Sequence, residues 1–185
     1  MSLKTKILLI MTTAIAVAAF WFFLRPSQDD GTLATEAAHA VTGESRPLHR
    51  ITNTSFRMSP APATLCRAAP TRRPPHAGYH CHVFANEAAL EPIRSGEGTY
   101  PVGSVIVKQK YYTRFAKQTV LFTIMRKMDG GYDDENGDWE YSVVNSAGTD
   151  VLLAGREQSC IACHKYYADT DFVSRVYLDL SLIHI

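Results

Sequence analysis

Ser104-Val105-Ile106-Val107-Lys108-Gln109-Lys110-Tyr111-Tyr112 is the run whose reading decides the fold. It is dense in Val, Ile and Tyr, whose branched or aromatic side chains suit a pleated surface, so it reads as a strand. On a strand, Lys108 shares a face with Ile106 and Lys110, while Val107 and Gln109 point the other way. Thr119 to Met128 is a second run of the same kind. Asp129-Gly130-Gly131 opens an acidic, turn-rich segment up to Asp138. Two shorter candidate strands follow, Trp139 to Val144 and Asp150 to Leu153, separated by Ser146-Ala147-Gly148. Such short connections suit antiparallel neighbours. Upstream, Asn86 is placed to cap a helix from Glu87 to about Arg94, with Pro92 limiting its regularity. Downstream, Gln158 to about Ala168 reads as a helix. The expectation is an α+β fold: a mainly antiparallel β-sheet with flanking helices, in a working domain over 62–179.

The rest of the chain divides by composition. Its 185 residues are 46% hydrophobic and 20% charged, a globular balance with room for one ordinary domain and appendages. A net charge of +1 and the lack of a Lys/Arg cluster exclude nucleic acid as an expected partner. Ile7 to Leu24 is an uncharged apolar run of 18 residues preceded by Lys4 and Lys6. It nearly spans a bilayer core, and lysines ahead of it favour a cytoplasmic N-terminus. We therefore read 1–25 as an N-terminal membrane anchor helix, with the domain on the periplasmic side of the inner membrane. A cleaved signal peptide, releasing the domain to the periplasm, is the competing reading. Cleavage after Ala16-Val17-Ala18, however, would leave Ala19-Phe20-Trp21-Phe22-Phe23-Leu24 as an exposed apolar terminus. Residues 26–61, rich in Ser, Thr, Ala and Pro, read as a flexible tether. Leu180 to Ile185 resembles a translated transposon end, so 180–185 is set apart as a candidate non-native tail and His184 is assigned no function.

Cys160-Ile161-Ala162-Cys163-His164 is C-x-x-C-H, the attachment signal of c-type haem. Each thiol adds to one porphyrin vinyl group, and the short interval lets both reach the same edge while the adjoining histidine meets the iron. The pattern predicts one covalent haem c on a C-terminal haem-bearing helix, held by Cys160, Cys163 and His164, with His164 as axial iron ligand. A zinc site would have to enlist Cys66 and Cys81, which are not spaced as a knuckle. A disulfide redox pair would come with a thioredoxin-like βαβ pattern, which is absent. Cys66 and Cys81 are then left over, either paired in a disulfide in an oxidising compartment or free. His76, His80 and His82 around Cys81 read as a hydrogen-bonded surface turn before a copper site. Asp134, Asn136 and Asp138 have the alternate spacing of calcium-loop ligands. The sixth position is Trp139 and the twelfth Asn145, which excludes an EF-hand.

A closed electron carrier would need a sixth iron ligand, for which Met58, Met125 and Met128 are available and unmarked by pattern. The commonest soluble cytochromes c are mostly helical with the motif near the N-terminus, whereas here a strand-rich stretch precedes it. Several segments in order carry a more specific resemblance. Ala85-Asn86-Glu87-Ala88-Ala89, Tyr100-Pro101-Val102-Gly103-Ser104-Val105-Ile106-Val107-Lys108 and Gly137-Asp138-Trp139-Glu140-Tyr141 come first. The haem motif, Ala168-Asp169 and Asp171-Phe172-Val173 follow. Together they resemble the cytochrome P-460 family over about Pro62 to Tyr177.

The resemblance implies a homodimer carrying a pentacoordinate c-haem that oxidises hydroxylamine or handles nitric oxide. Electrons would leave to a periplasmic acceptor. It also implies a lysine covalently joined to the porphyrin, and Lys108 is the matching position; by itself a strand lysine ordinarily faces solvent. The related cytochrome c′-beta proteins share the fold and bind gases in an apolar pocket without that link. Hydroxylamine oxidation needs a proton acceptor. Glu157 and Asp169 are the carboxylates nearest the motif, Asp169 being the candidate carried forward, and neither lies in a matching motif. The expected function is a haem-dependent oxidoreductase, with a gas-binding protein or an electron-transfer cytochrome c as alternatives.

Overall fold

The computed structural model describes residues 30–42, 48–58 and 78–178. All but Asp30 belong to one compact unit, Gly31–Ile185. The expected anchor and all of Pro70 to Pro75, with Cys66 and His76, lie outside the described residues, as does the 180–185 tail. Among the described residues no helix is long and apolar enough to cross a membrane.

The described elements, in chain order, are α1 (Asp30–Thr42), β1 (His49–Arg50), β2 (Phe56–Arg57), β3 (His80–Ala85), α2 (Glu87–Ser95), β4 (Val105–Tyr111), β5 (Leu121–Lys127), β6 (Trp139–Asn145), β7 (Val151–Gly155) and α3 (Gln158–His164). The strands form one antiparallel sheet of seven, in the order β1-β3-β4-β5-β6-β7, with β2 also paired to β3. The fold is α+β, and the four expected strands are present within two residues of their predicted bounds. β3 was not foreseen. Its sequence, His80-Cys81-His82-Val83-Phe84-Ala85, alternates strictly between buried and half-buried positions, so His80 and His82 sit on a strand instead of a surface turn.

Register assigns each side chain to a face. Ile106, Lys108 and Lys110 of β4 stand beside Ala85, Val83 and Cys81 of β3 and beside Met125, Thr123 and Leu121 of β5. Trp139, Tyr141 and Val143 of β6 continue this inner face. The larger core lies on it, where α2 contributes Ala89, Leu90 and Ile93, α3 contributes Cys160 and Ile161, and the C-terminal segment adds Val173 and Tyr177. Asn86 starts α2 as expected, accepting from the Ala89 amide at 3.3 Å and the Val105 amide at 2.9 Å, so one side chain fixes the helix start against β4.

The outer face carries a second core of Val107, Phe122, Ile124 and Val144 under Ala34 and Ala38 of α1. A tether throughout 26–61 is therefore not what forms. The small residues of Ala34, Ala37 and Ala38 recur at helical spacing and let the helix lie close to the sheet. Covered on both sides, β6 is buried along nearly its whole length. Its Glu140 is tolerated there because Arg126 donates to it from Nε and Nη2, both at 3.0 Å.

Candidate haem site

Cys160, Cys163 and His164 occupy i, i+3 and i+4 of α3 and are all buried, whereas Ala162 between them is exposed. That spacing sets both thiols and the imidazole on one helical face. The face meets a narrow cleft of about 20 Å³ in which Cys160 and His164 lie against Ile106 and Lys108 of β4, Thr123 and Met125 of β5, and Tyr141 and Val143 of β6. Lys108, matched to the cross-linking lysine by resemblance alone, thus shares a cleft with the haem motif. It is 8% exposed, so it is no solvent-facing strand lysine.

Burial lowers the Lys108 amine below its usual range, with the Cys81 thiol pulling the other way. Lys110, fully buried and directly across from Cys81, is brought down to about 7, by burial first; Cys81 opposes this and Lys108 adds to it. A lysine amine needs its lone pair to form a covalent bond, and a dry site favours that neutral form.

His164 is lowered to about 4, by burial and then by the Lys108 charge, against the opposing hydrogen bond to Phe172. Its Nδ1 lies 2.7 Å from the Phe172 carbonyl oxygen. A carbonyl only accepts, so Nδ1 donates and Nε2 is left unprotonated, the state an iron ligand requires. The Tyr141 ring is 5.0 Å from the imidazole, and its hydroxyl is buried without a hydrogen-bond partner among the described residues. Burial raises that phenol, as do nearby Cys160 and the carboxyls of Asp133 and Asp171.

The carbonyl that meets His164 sits on an unusual backbone. The expected helix to Ala168 ends at His164 and continues as a 3-10 segment, Lys165–Thr170. The Phe172 amide then bonds to the Tyr167 carbonyl at 2.7 Å and the Asp171 amide to the Ala168 carbonyl at 3.3 Å. These are the two bonds of a Schellman turn, with Asp171 in the left-handed position usually held by glycine. Asp171 has φ 51 and Phe172 φ 64, the latter costly for a bulky side chain.

Cys160 is a free thiol raised to about 11, chiefly by burial. Cys163 is held in a disulfide, so the second thioether requires that sulfur reduced. Its partner is outside the described residues. Cys81 is a free, fully buried thiol, so of the two alternatives left open for it the unpaired one holds. Of the three methionines, Met125 lines the cleft and Met58 packs beside the inner core. Asp169 is exposed and Glu157 precedes α3; neither lines the cleft. No group of three His, Cys, Asp or Glu side chains able to hold a metal ion occurs among the described residues.

Sequence reasoning gave no role to Asp171, Tyr141 or Lys110. Asp171 and Tyr141 stood inside motifs quoted for resemblance, and the period-2 reading of β4 set Lys110 on the right face without revealing its burial.

The residues fit a covalent c-type haem: a neutral imidazole of the required tautomer and a free thiol converge on a largely apolar slot. The cytochrome P460 family profile matches residues 64–175. No curated protein matches the chain. With more than half its length matched, this chain belongs to the cytochrome P460 family, a family of c-type haem proteins.

Proposed function

We propose that this protein is a periplasm-facing oxidoreductase that acts on hydroxylamine or nitric oxide, with one haem attached through Cys160 and Cys163 and His164 as its axial ligand. The observation that carries the reading is the convergence of Lys108, Cys160 and His164 on one cleft. The haem, when bound, supplies an iron that binds small nitrogen oxides and exchanges single electrons. The protein's own residues do the rest. His164 presents Nε2 because Phe172 holds Nδ1. Ile106, Met125 and Val143 limit water, and Lys108 would offer its amine from the same cleft for a covalent tie. Electrons leave to a periplasmic acceptor, and the working form is a homodimer held at the membrane by the N-terminal apolar run.

One observation favours a second reading, a gas-binding protein without turnover. No carboxylate lines the cleft among the described residues, so none is offered there as the proton acceptor for hydroxylamine. Met125 in the cleft is what a six-coordinate electron carrier would use.

The test is expression with haem-maturation factors, peptide mass mapping and a spectrum of the reduced protein, with hydroxylamine-dependent reduction of an electron acceptor measured alongside. Haem linked to Lys108 with turnover is the expected result. An unlinked haem that binds nitric oxide without turnover establishes the second reading. A stable six-coordinate spectrum lost in Met125→Leu establishes the carrier, and a chain that takes up no haem defeats all three.

A further inference from the structure

We propose that Asp171 is a positioning residue for the axial ligand: it clamps the left-handed pair Asp171-Phe172 so that the Phe172 carbonyl stays on His164 Nδ1. The proposal rests on the haem reading of His164 and adds a residue that neither the motif nor the family match assigns.

Asp171 is gripped from three elements. Lys127 of β5 donates from Nζ to both carboxylate oxygens at 2.7 Å. The Tyr100 amide, from the loop before β4, donates to Oδ2 at 2.7 Å. Trp139 of β6 donates from its indole Nε1 to the Asp171 carbonyl at 2.8 Å. All of this is dry: Asp171 is 9% exposed and Trp139 fully buried, and the Lys127 ammonium also lies 5.1 Å from the centre of the Trp139 ring. Charge-assisted bonds in such a setting are strong and costly to break singly.

What the grip holds is unfavourable by itself. Phe172 at φ 64 would relax toward negative φ if released, and that rotation carries its carbonyl away from His164. Gly137 shows the same demand from outside, since a Cβ there would sit 2.5 Å from the Phe172 ring. The route from the sheet to the imidazole is therefore short and contiguous: Lys127 and Trp139, Asp171, the Phe172 carbonyl, His164. A hydrogen bond at Nδ1 raises the basicity of the imidazole and strengthens it as a ligand.

The experiment uses the haem-loaded full chain and two readouts other than turnover: the iron–histidine stretching frequency of the ferrous protein and the midpoint potential. Lys127→Met breaks the clamp from β5 without touching the haem motif. Asp171→Asn keeps a side chain that tolerates left-handed backbone and an acceptor for Tyr100, but loses the charge. Both variants are expected to lower the stretching frequency and raise the potential, Lys127→Met the more strongly. Asp169→Asn, exposed and two residues away, is expected to change neither. Wild-type frequency and potential in Lys127→Met and Asp171→Asn, or an equal shift in Asp169→Asn, would overturn the clamp. A wild-type chain without haem defeats the cofactor reading instead, so the two failures are distinguishable.

Discussion

The Nζ of Lys108 lies 5.7 Å from the centre of the Tyr177 ring, so a strand lysine from the middle of the domain is roofed by an aromatic ring from its end. Tyr177 is itself 1% exposed and stacks on Phe56 at 5.8 Å. A lysine buried in such a place costs folding energy. Lys108→Met keeps the length of the side chain and removes the amine. Haem is expected to remain on the cysteines, with the lysine-linked peptide gone from the mass map and the reduced spectrum shifted toward an ordinary c-type form. The haem-free variant is expected to be more stable to urea by about 1–3 kcal/mol.

Lys110 gives the domain a pH signature. Its amine titrates at about 7 in the fold against 10.5 for the ordinary group. Between those values the unfolded chain holds a proton that the folded one has shed, so stability rises with pH across the window. Below about 7 both states are protonated and the burial cost is fully present. Urea midpoints of the haem-free domain between pH 7 and 10 should climb, and Lys110→Met should flatten that climb. A slope unchanged in the variant would assign it to another group.

Gly137 allows the close approach of Phe172. It has φ 72, and a Cβ on it would meet Phe172 at 2.5 Å and the Asp171 carboxylate at 3.1 Å. Gly137→Ala combines overpacking with a left-handed alanine, at about 2–4 kcal/mol. Chemical denaturation measures the loss. Gly130, with open space around it, is the control, and Gly130→Ala should cost far less.

The two sheet faces should respond separately. Phe122 is fully buried on the outer face under α1, away from the cleft. Phe122→Ala is expected to cost about 3–5 kcal/mol while leaving the spectrum of the haem-loaded protein unchanged. A spectral change in this variant would show that the outer core shapes the site.

Where the residues carried a local pattern, the sequence was readable. The strands from Ser104 to Leu153 follow branched and aromatic density, and α2 follows the Asn86 cap. β3 escaped because its histidines suggested a hydrogen-bonded surface turn, while its alternating burial is visible only once β4 lies beside it. The helix in 30–42 escaped because alanines carry little hydrophobic signal; packing against Phe122 and Val144 is what stabilises it. Asp169 drew attention by its nearness in sequence, yet the carboxylate facing inward is Asp171. The difference is a left-handed turn, which no composition announces.

By itself the sequence determined the haem motif, the α+β order and the face of β4 that holds Lys108, because each follows from spacing along one strand or helix. Only the tertiary structure decided that Lys108 and His164 share a cleft, that Cys81 is a free thiol, and that the Phe172 carbonyl selects the imidazole tautomer. Those relations join segments far apart in the chain, through burial and sheet register, and no local propensity encodes them.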